Sequence, residues 1–203
     1  ADEAIYIRWS QVMRAVSTLR FLPLSDGKQP LFMWSTIPFL KVFADPLIAG
    51  RMVSVLCGMG SVLGIAALTY ILFKSWKTTL LVGFLYAISP FTVFFERMAL
   101  ADAMLSMFGI WSMVFAILTA KYLRLDTALL AGFALGGALL TKSPGIFFLI
   151  LLPATIFLAN LPKRLISLAF IKLAGLWIVA GVIGYGLYNI LRLGPEFHMI
   201  NLR

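Results

Sequence analysis

The sequence is poor in the residues that soluble catalytic and metal-binding domains use most. Of its 203 residues, 12% are charged, one is a histidine and one is a cysteine. Soluble domains average about 25% charged residues, so the chain has too little polar surface for a soluble fold. Cys57 has no partner for a disulfide, and we expect it to be a small buried apolar residue.

Long apolar runs take the place of the missing polar surface. The chain is 62% hydrophobic with a mean hydropathy of +0.99. A helix needs about 20 apolar residues to cross a bilayer. On that rule we predict spans at about 47–73, 78–95, 99–120, 127–141, 145–161 and 168–191. In the fourth and last spans we expect small residues to allow close helix packing: Gly132, Gly136, Gly137, Gly181, Gly184 and Gly186. The sequence therefore predicts an all-α integral membrane bundle of about six spans.

The charges between the spans are sorted by sign. The links at 74–77, 121–126 and 161–164 carry six Lys or Arg residues and one acid. The other seven carboxylates lie in the remaining segments: Asp2, Glu3, Asp26, Asp45, Glu96, Asp102 and Glu196. Short loops rich in Lys and Arg stay cytoplasmic, so we expect the acid-bearing side to face out and to hold a functional site. No basic stripe is interleaved with stacking aromatics, which argues against nucleic acid as a partner despite the net charge of +9.

The first 46 residues contain no apolar run long enough to span a membrane. One apolar stripe at helical spacing comprises Ile5, Trp9, Val12, Val16 and Leu19. Such a helix lies along the membrane surface, in contact with membrane lipids. A second helix is predicted at 30–44, with Pro30 at its start and Pro38 inside it. We therefore divide the chain into an outer loop, 1–46, and a bundle, 47–203. Both termini fall in polar loops, so we expect a fragment of a longer chain.

Five segments in the order ADEAIY, DGKQPLFMW, LIAGRMVSVL, ERMALADAML and GGALLTKSPG resemble the GT-C superfold of polyprenyl-phosphate-sugar-dependent glycosyltransferases. They are similar to the dolichyl-phosphate-mannose protein mannosyltransferases and the bacterial aminoarabinose transferases of lipid A. The resemblance implies an enzyme that moves a hexose or pentose from a polyprenyl-phosphate-linked donor to a lipid, protein or glycan acceptor, with inversion at the anomeric carbon. It also implies a bacterial plasma membrane, with the active site on the extracytoplasmic face.

The resemblance implies that the first acid of the opening pair, Asp2, is the catalytic base, with Glu3 beside it. Adjacent helical residues point about 100° apart, so we expect only one of the two to enter the pocket. A structural alternative is that both acids complement a helix N-terminus.

A third acid, Asp102, lies at the predicted outer mouth of a span, where an ionisable group is costly and usually functional. An Arg97 to Asp102 ion pair that closes this mouth is the structural alternative. In the related family the R-x-A-L-x-D pattern lines the active-site cavity, so the resemblance places Asp102 there as a catalytic residue and Arg97 there as a ligand of the donor phosphate.

Two lysines are candidates for binding the donor phosphate. Lys28 lies where relatives place a lysine against that phosphate, and a lysine acts there as a point charge. Lys142 departs from the charge sorting, because it puts a cation on the outer side at the end of a glycine-rich helix. A second phosphate contact would explain it, and a snorkelling lysine that anchors the helix end is the alternative.

A divalent metal is the one possible cofactor. Some relatives hold a metal between a histidine after the last of these spans and an acid directly before the loop lysine. His198 fits the first position, whereas the second is Gly27, with Asp26 one residue earlier. Asp26 and His198 make a poor ligand set, since zinc usually takes three or four protein ligands.

A multi-span transporter or lipid flippase is the competing function, because intramembrane acids often couple ions to transport. Transporters place their sites near the bilayer midplane, within repeated halves of the fold. Here no internal repeat is visible and the candidate residues cluster at helix mouths and in a loop. A non-catalytic scaffold would leave the outward acids unexplained.

Overall fold

The structure, a computed structural model, describes residues 2–158, 168–195 and 197. All regular elements within these ranges are helical, which confirms the predicted all-α class. The α-helices are α1 Asp2–Ala15, α2 Leu31–Phe39, α3 Pro46–Phe73, α4 Trp76–Ile88, α5 Pro90–Glu96, α6 Ala101–Tyr122, α7 Leu125–Thr141, α8 Ile146–Leu151 and α9 Leu168–Tyr188. Short 3-10 turns lie at Ser17–Leu19, Leu22–Asp26, Ser143–Gly145, Leu152–Leu158 and Asn189–Leu193.

In the described part of the chain, three helical stretches are long and apolar enough to cross a membrane. They are Pro46–Phe73, Ala101–Tyr122 and Leu168–Leu193. The first begins sharply because the Asp45 side chain accepts a hydrogen bond from the Leu47 backbone N–H at 2.8 Å and Pro46 fixes the first turn. These stretches support an integral membrane protein.

The predicted span at 78–95 is not one straight helix. The chain breaks at Ser89, and α4 and α5 meet at an angle of 62°. Pro90 is the cause, because it has no N–H to continue the helix and instead starts α5. If the bent pair crosses the membrane as one span, the described residues contain four candidate spans in total.

The two helical segments that directly follow α6 are shorter than the candidate spans. At 17 residues, α7 covers about 25 Å, and the predicted span at 145–161 is divided into a 3-10 turn, α8 and the 3-10 helix Leu152–Leu158. Residues 159–161 lie outside the described ranges. The chain turns after Thr141: Lys142 is extended, and Ser143–Gly145 forms a 3-10 turn. Bilayer crossing by these two helical segments stays a prediction.

The bundle has two distinct ends. Helix α6 packs against α3 and α7, and α7 packs against α9. At one end, the Lys121 ammonium donates to the Ile71 carbonyl at 2.8 Å. The opposite end, which we call the site end, holds α1, α2 and the first turns of α3 and α6. Asp102 and Lys121 are 19 residues apart on α6, so about 28 Å separates them along the helix. The charge sorting predicted this separation.

Close packing through glycine is confirmed where α7 meets α9. A Cβ on Gly132 would lie 2.8 Å from the Ala180 carbonyl oxygen, so a larger residue would push the helices apart. Gly184 faces Leu135 at a similar distance. The prediction is wrong for Gly186, because a Cβ added there would meet no atom of a packed neighbour within 4 Å in the described ranges.

Helix α1 packs on the protein with a face that the apolar stripe did not indicate. Its buried residues are Tyr6, Ile7, Ser10 and Met13, which join the core that α2, α3 and α6 share. Most of the predicted stripe instead faces outward, since Ile5, Val16 and Leu19 are exposed. The helix has apolar residues on two faces, and its lying on the membrane surface stays a prediction. Helix α2 is shorter than predicted and ends one residue after Pro38.

Candidate functional site

A tight turn sets the position of Lys28. The 3-10 turn Leu22–Asp26 ends at Gly27, whose φ of 68° is in the left-handed region that glycine adopts most readily. The N–H of Gly27 donates to the Leu24 carbonyl, and the N–H of Lys28 donates to the Pro23 carbonyl. These bonds fix the backbone from which the lysine side chain extends into the site end.

The Lys28 ammonium has one acidic and two aromatic neighbours. It lies 3.0 Å from a carboxylate oxygen of Asp26. Its nitrogen also stands over the rings of Tyr6 and Trp9, at 5.4 Å and 5.2 Å from their centroids. Cation–π contacts of this kind orient an ammonium without neutralising it. The Lys28 side chain is therefore held between Asp26 and the aromatic rings of α1.

Lys142 reaches Asp102. Its ammonium donates to a carboxylate oxygen of Asp102 at 2.7 Å, joining the end of α7 to the first turn of α6. Both side chains are part-exposed, at 40% and 37%. The alternative Arg97 to Asp102 pair is not found, because Lys142 is the partner of Asp102.

The two lysines are linked through the residues that follow them. The side-chain amide of Gln29 donates to the Ser143 hydroxyl at 2.8 Å, and Gln29 is buried at 3% exposure. A buried amide keeps its partners because leaving it unpaired is costly. This bond ties the loop of Lys28 to the turn of Lys142, so the two candidate phosphate ligands lie on segments that are in contact.

A buried phenol lies among the acids. The pKa of Tyr6 is raised to about 12, chiefly by burial, with smaller contributions from the nearby carboxylates of Asp102, Asp2 and Asp26 in that order. Three carboxylates that are far apart in sequence thus act on one hydroxyl. We call Asp2, Tyr6, Asp26, Lys28, Asp102 and Lys142 the site cluster. Sequence reasoning missed Tyr6, although its place one helical turn after Asp2 was a usable signal.

The opening acid pair divides into two roles, as the helix geometry predicts. Glu3 is fully engaged: the guanidinium of Arg51 donates to both carboxylate oxygens at 3.1 Å and 3.0 Å, and the Ala99 N–H donates at 2.7 Å. The Arg51 hydrogen bond is the main reason that the pKa of Glu3 lies below its ordinary value, with burial acting against it. Asp2 is exposed and has no hydrogen-bond or ion-pair partner within the described ranges.

Arg97 lies apart from the site cluster. With Arg51 it borders an open cavity of about 750 Å³ between α3 and α5. The other lining residues are Val55, Pro90, Val93, Phe94 and Met98. The structure thus places Arg97 in a cavity with Arg51, the ion-pair partner of Glu3.

A smaller cavity reaches Asp102 from the side of α5. It has a volume of about 160 Å³, and its walls include Phe91, Phe95 and the pair Tyr86 and Glu96, whose hydroxyl and carboxylate are 2.8 Å apart. Asp102 therefore borders both the lysine of α7 and an aromatic cavity beside its own helix.

The described residues do not fit a metal site. Asp26 is ion-paired with Lys28, and Gly27 offers no ligand at the position where relatives carry an acid. His198 lies outside the described ranges. Within those ranges, no group of three His, Cys, Asp or Glu side chains is placed to hold a metal ion. We derive no chemical step through a metal.

The chain was compared with models of known protein families. A family model described as dolichyl-phosphate-mannose-protein mannosyltransferase matches residues 27–186. The matched range contains Lys28, Arg97, Asp102 and Lys142, and it begins after Asp2 and Glu3. Comparison with curated proteins and with solved structures gives no match.

Proposed function

Because the chain belongs to the dolichyl-phosphate-mannose-protein mannosyltransferase family of membrane glycosyltransferases, we propose that its site cluster transfers the sugar with inversion. Members of this family use polyprenyl-phosphate sugar donors. The observation that supports the proposal is the Gln29 to Ser143 hydrogen bond, which joins the segment that carries Lys28 to the segment that carries Lys142. A pair of fixed cations beside three acids suits a reaction that releases a phosphate and a proton.

Lys28 and Lys142 bind the donor phosphate in this proposal. The donor is a phosphodiester with one negative charge. When the sugar is transferred, polyprenyl phosphate leaves as a phosphate monoester, and the negative charge on the phosphate increases. Cations fixed beside the leaving oxygen interact more strongly with the transition state than with the donor, and this difference accelerates the reaction. Each ammonium has three N–H donors, so one bond to Asp26 or Asp102 leaves others for phosphate oxygens.

Asp2 is the proposed base. The acceptor hydroxyl oxygen bonds to the anomeric carbon from the side opposite the phosphate, and the bond from that carbon to the phosphate oxygen breaks. The electron pair leaves with the phosphate, and the hydroxyl proton passes to Asp2. A single displacement of this kind inverts the carbon. A base must lie within hydrogen-bond reach of the acceptor, and the exposed, unpaired carboxylate of Asp2 meets that need better than Glu3.

Tyr6 and Asp102 position the reacting groups. With its pKa raised to about 12, the Tyr6 phenol stays protonated at neutral pH, so it donates a hydrogen bond and does not act as a base. Asp102 holds the Lys142 ammonium at the site end. Glu3 fixes α1 to α3 through Arg51, which sets the place of Asp2 one residue before it.

We place the site cluster on the extracytoplasmic face of a bacterial plasma membrane. The six-to-one excess of Lys and Arg in the alternate links supports this side. The acceptor in this proposal is a lipid, a protein or a glycan that presents a nucleophilic oxygen at the outer surface.

The test is a transfer assay with the full-length protein in membranes. Polyprenyl phosphates carrying radiolabelled hexoses and pentoses are supplied one at a time, and the label is followed into lipid, protein and glycan fractions. We expect one donor to lose its label, with release of polyprenyl phosphate. Nucleotide sugars carrying the same labels are the control, and we expect them to remain intact. The proposal would be contradicted if none of the polyprenyl-phosphate donors lost its label in membranes that contain the folded protein.

A further inference from the structure

A second cationic cavity lies away from the site cluster, between the end of α1 and α2. It has a volume of about 530 Å³. It is lined by Met13, Arg14, Arg20, Phe21, Trp34, Ile37, Pro38 and Lys41. Three of these residues are cations and none is an acid, so the cavity favours a negatively charged occupant.

The walls of this cavity are held by hydrogen bonds that leave two of its cations free. Arg14 donates to the Leu40 carbonyl at 2.6 Å, and the indole N–H of Trp34 donates to the Arg20 carbonyl at 2.7 Å. The side chains of Arg20 and Lys41 have no hydrogen-bond or ion-pair partner in the described part of the chain. Two unpaired cations therefore face a preformed cavity.

Exposed apolar residues lie close in the sequence to the cations that line the cavity. Val16, Leu19 and Val42 are exposed at 42%, 41% and 75%. Val42 lies three residues before Asp45, the N-cap of the long helix α3, so this rim sits at the level where a spanning helix ends. Apolar side chains flanked by Lys, Arg and Trp are typical of a surface that rests in the headgroup region of a bilayer.

We infer that this cavity binds the phosphate headgroup of an anionic membrane phospholipid. Arg20 and Lys41 contact the phosphate, while Val16, Leu19 and Val42 enter the acyl region around it. The charge and the apolar rim together favour a lipid over a soluble anion, which would need only the cations. None of the lining residues belongs to the site cluster, so this site is distinct from the proposed donor site and does not depend on it.

The test measures lipid binding by the full-length protein in an uncharged detergent. Native mass spectrometry gives the apparent dissociation constant for phosphatidylglycerol in the parent and in the Arg20→Gln/Lys41→Gln variant. A cation near an anionic lipid surface strengthens binding about fivefold, so removing two predicts weakening by about thirtyfold. The matched control is Arg8→Gln/Lys77→Gln, which removes two exposed cations outside the cavity and should bind as the parent does.

Further arms identify the source of the phosphate. We expect phosphatidylcholine to bind much more weakly than phosphatidylglycerol, and inorganic phosphate at equal concentration not to displace the lipid. Displacement by inorganic phosphate would overturn the lipid assignment, and so would equal binding by the parent and the cavity variant. The Lys28→Met protein should keep its lipid, because the donor site is separate. Loss of lipid in that variant would also overturn the inference.

Discussion

The Lys142 ammonium lies 2.7 Å from the Asp102 carboxylate, and the pair joins the end of α7 to the beginning of α6. Because both side chains are part-exposed, water and salt screen the attraction, and such pairs add about 1 kcal/mol or less to stability. The pair matters more for where it holds charge. It holds a cation at the site end, where the proposed mechanism places the leaving phosphate.

Removal of the Lys28 charge should slow transfer. Lys28→Met keeps most of the side-chain length and loses the ammonium beside the phosphate, so we expect sugar transfer to fall by roughly two orders of magnitude or more. The measurement is initial transfer rate in membranes with matched protein levels. Lys77→Met, which removes an exposed cation from the opposite end of the bundle, should leave the rate unchanged. A Lys28→Met rate close to the parent rate would remove the phosphate role.

Asp102 and Lys142 should behave as a unit. Asp102→Asn should weaken substrate positioning and retain some turnover, whereas Lys142→Met should lower transfer further by removing a phosphate ligand. Residues in direct contact are not additive, so we expect the double variant to be no slower than Lys142→Met alone. The measurement is kcat/KM for the parent, both single variants and the double variant. If the fold-loss of kcat/KM in the double variant equals the product of the two single losses, the pair does not act together.

Glu3 should act on stability and placement. Glu3→Gln removes the ion pair with Arg51 while keeping an oxygen that accepts from the Ala99 N–H. We expect a melting temperature lower by a few degrees, with residual transfer activity well above that of Asp2→Asn. Thermal unfolding followed by tryptophan fluorescence gives the first value, and the transfer assay gives the second. Complete loss of transfer by a folded Glu3→Gln protein would move the base from Asp2 to Glu3.

The stability that Glu3 provides should depend on pH. The pKa of Glu3 is lowered in the folded protein, chiefly by the Arg51 hydrogen bond. Its contribution is therefore complete above the ordinary pKa of a glutamate and disappears as the pH falls through the lowered value. We expect the difference in melting temperature between the parent and Glu3→Gln to be full at pH 7 and to vanish in acid. A difference that does not change with pH would contradict this assignment.

The sequence predicted the class of fold and part of the site for physical reasons that can be stated. The lengths of the apolar runs predicted the positions of α3 and α6. The sorting of charges between the links predicted that Asp102 and Lys121 lie at opposite ends. Local patterns could not give the rest. The Glu3 to Ala99 contact joins residues 96 positions apart, and α1 carries apolar residues on two faces, so periodicity alone could not show that Tyr6 is buried.

The bend at Pro90 and the neighbours of the lysines show the same limit. Proline indicates where a helix breaks, but the angle of 62° depends on packing against α3 and α6. The resemblance indicated Lys28 as a phosphate ligand and the departure from charge sorting indicated Lys142, whereas the link between their segments through Gln29 and Ser143 depends on the tertiary fold. The resemblance placed Arg97 in the cavity of Asp102, and the turn between α5 and α6 directs it into another cavity.

The base is the central element of the proposed chemistry, and Asp2→Asn tests it. The substitution keeps the shape of the side chain and removes its basicity. Donor affinity and single-turnover transfer from a labelled polyprenyl-phosphate sugar are measured on the same full-length protein in membranes. We expect donor binding close to that of the parent, with transfer abolished because no group accepts the acceptor's proton. Transfer by Asp2→Asn at the parent rate would contradict the assignment and reduce Asp2 to an acid at the start of a helix.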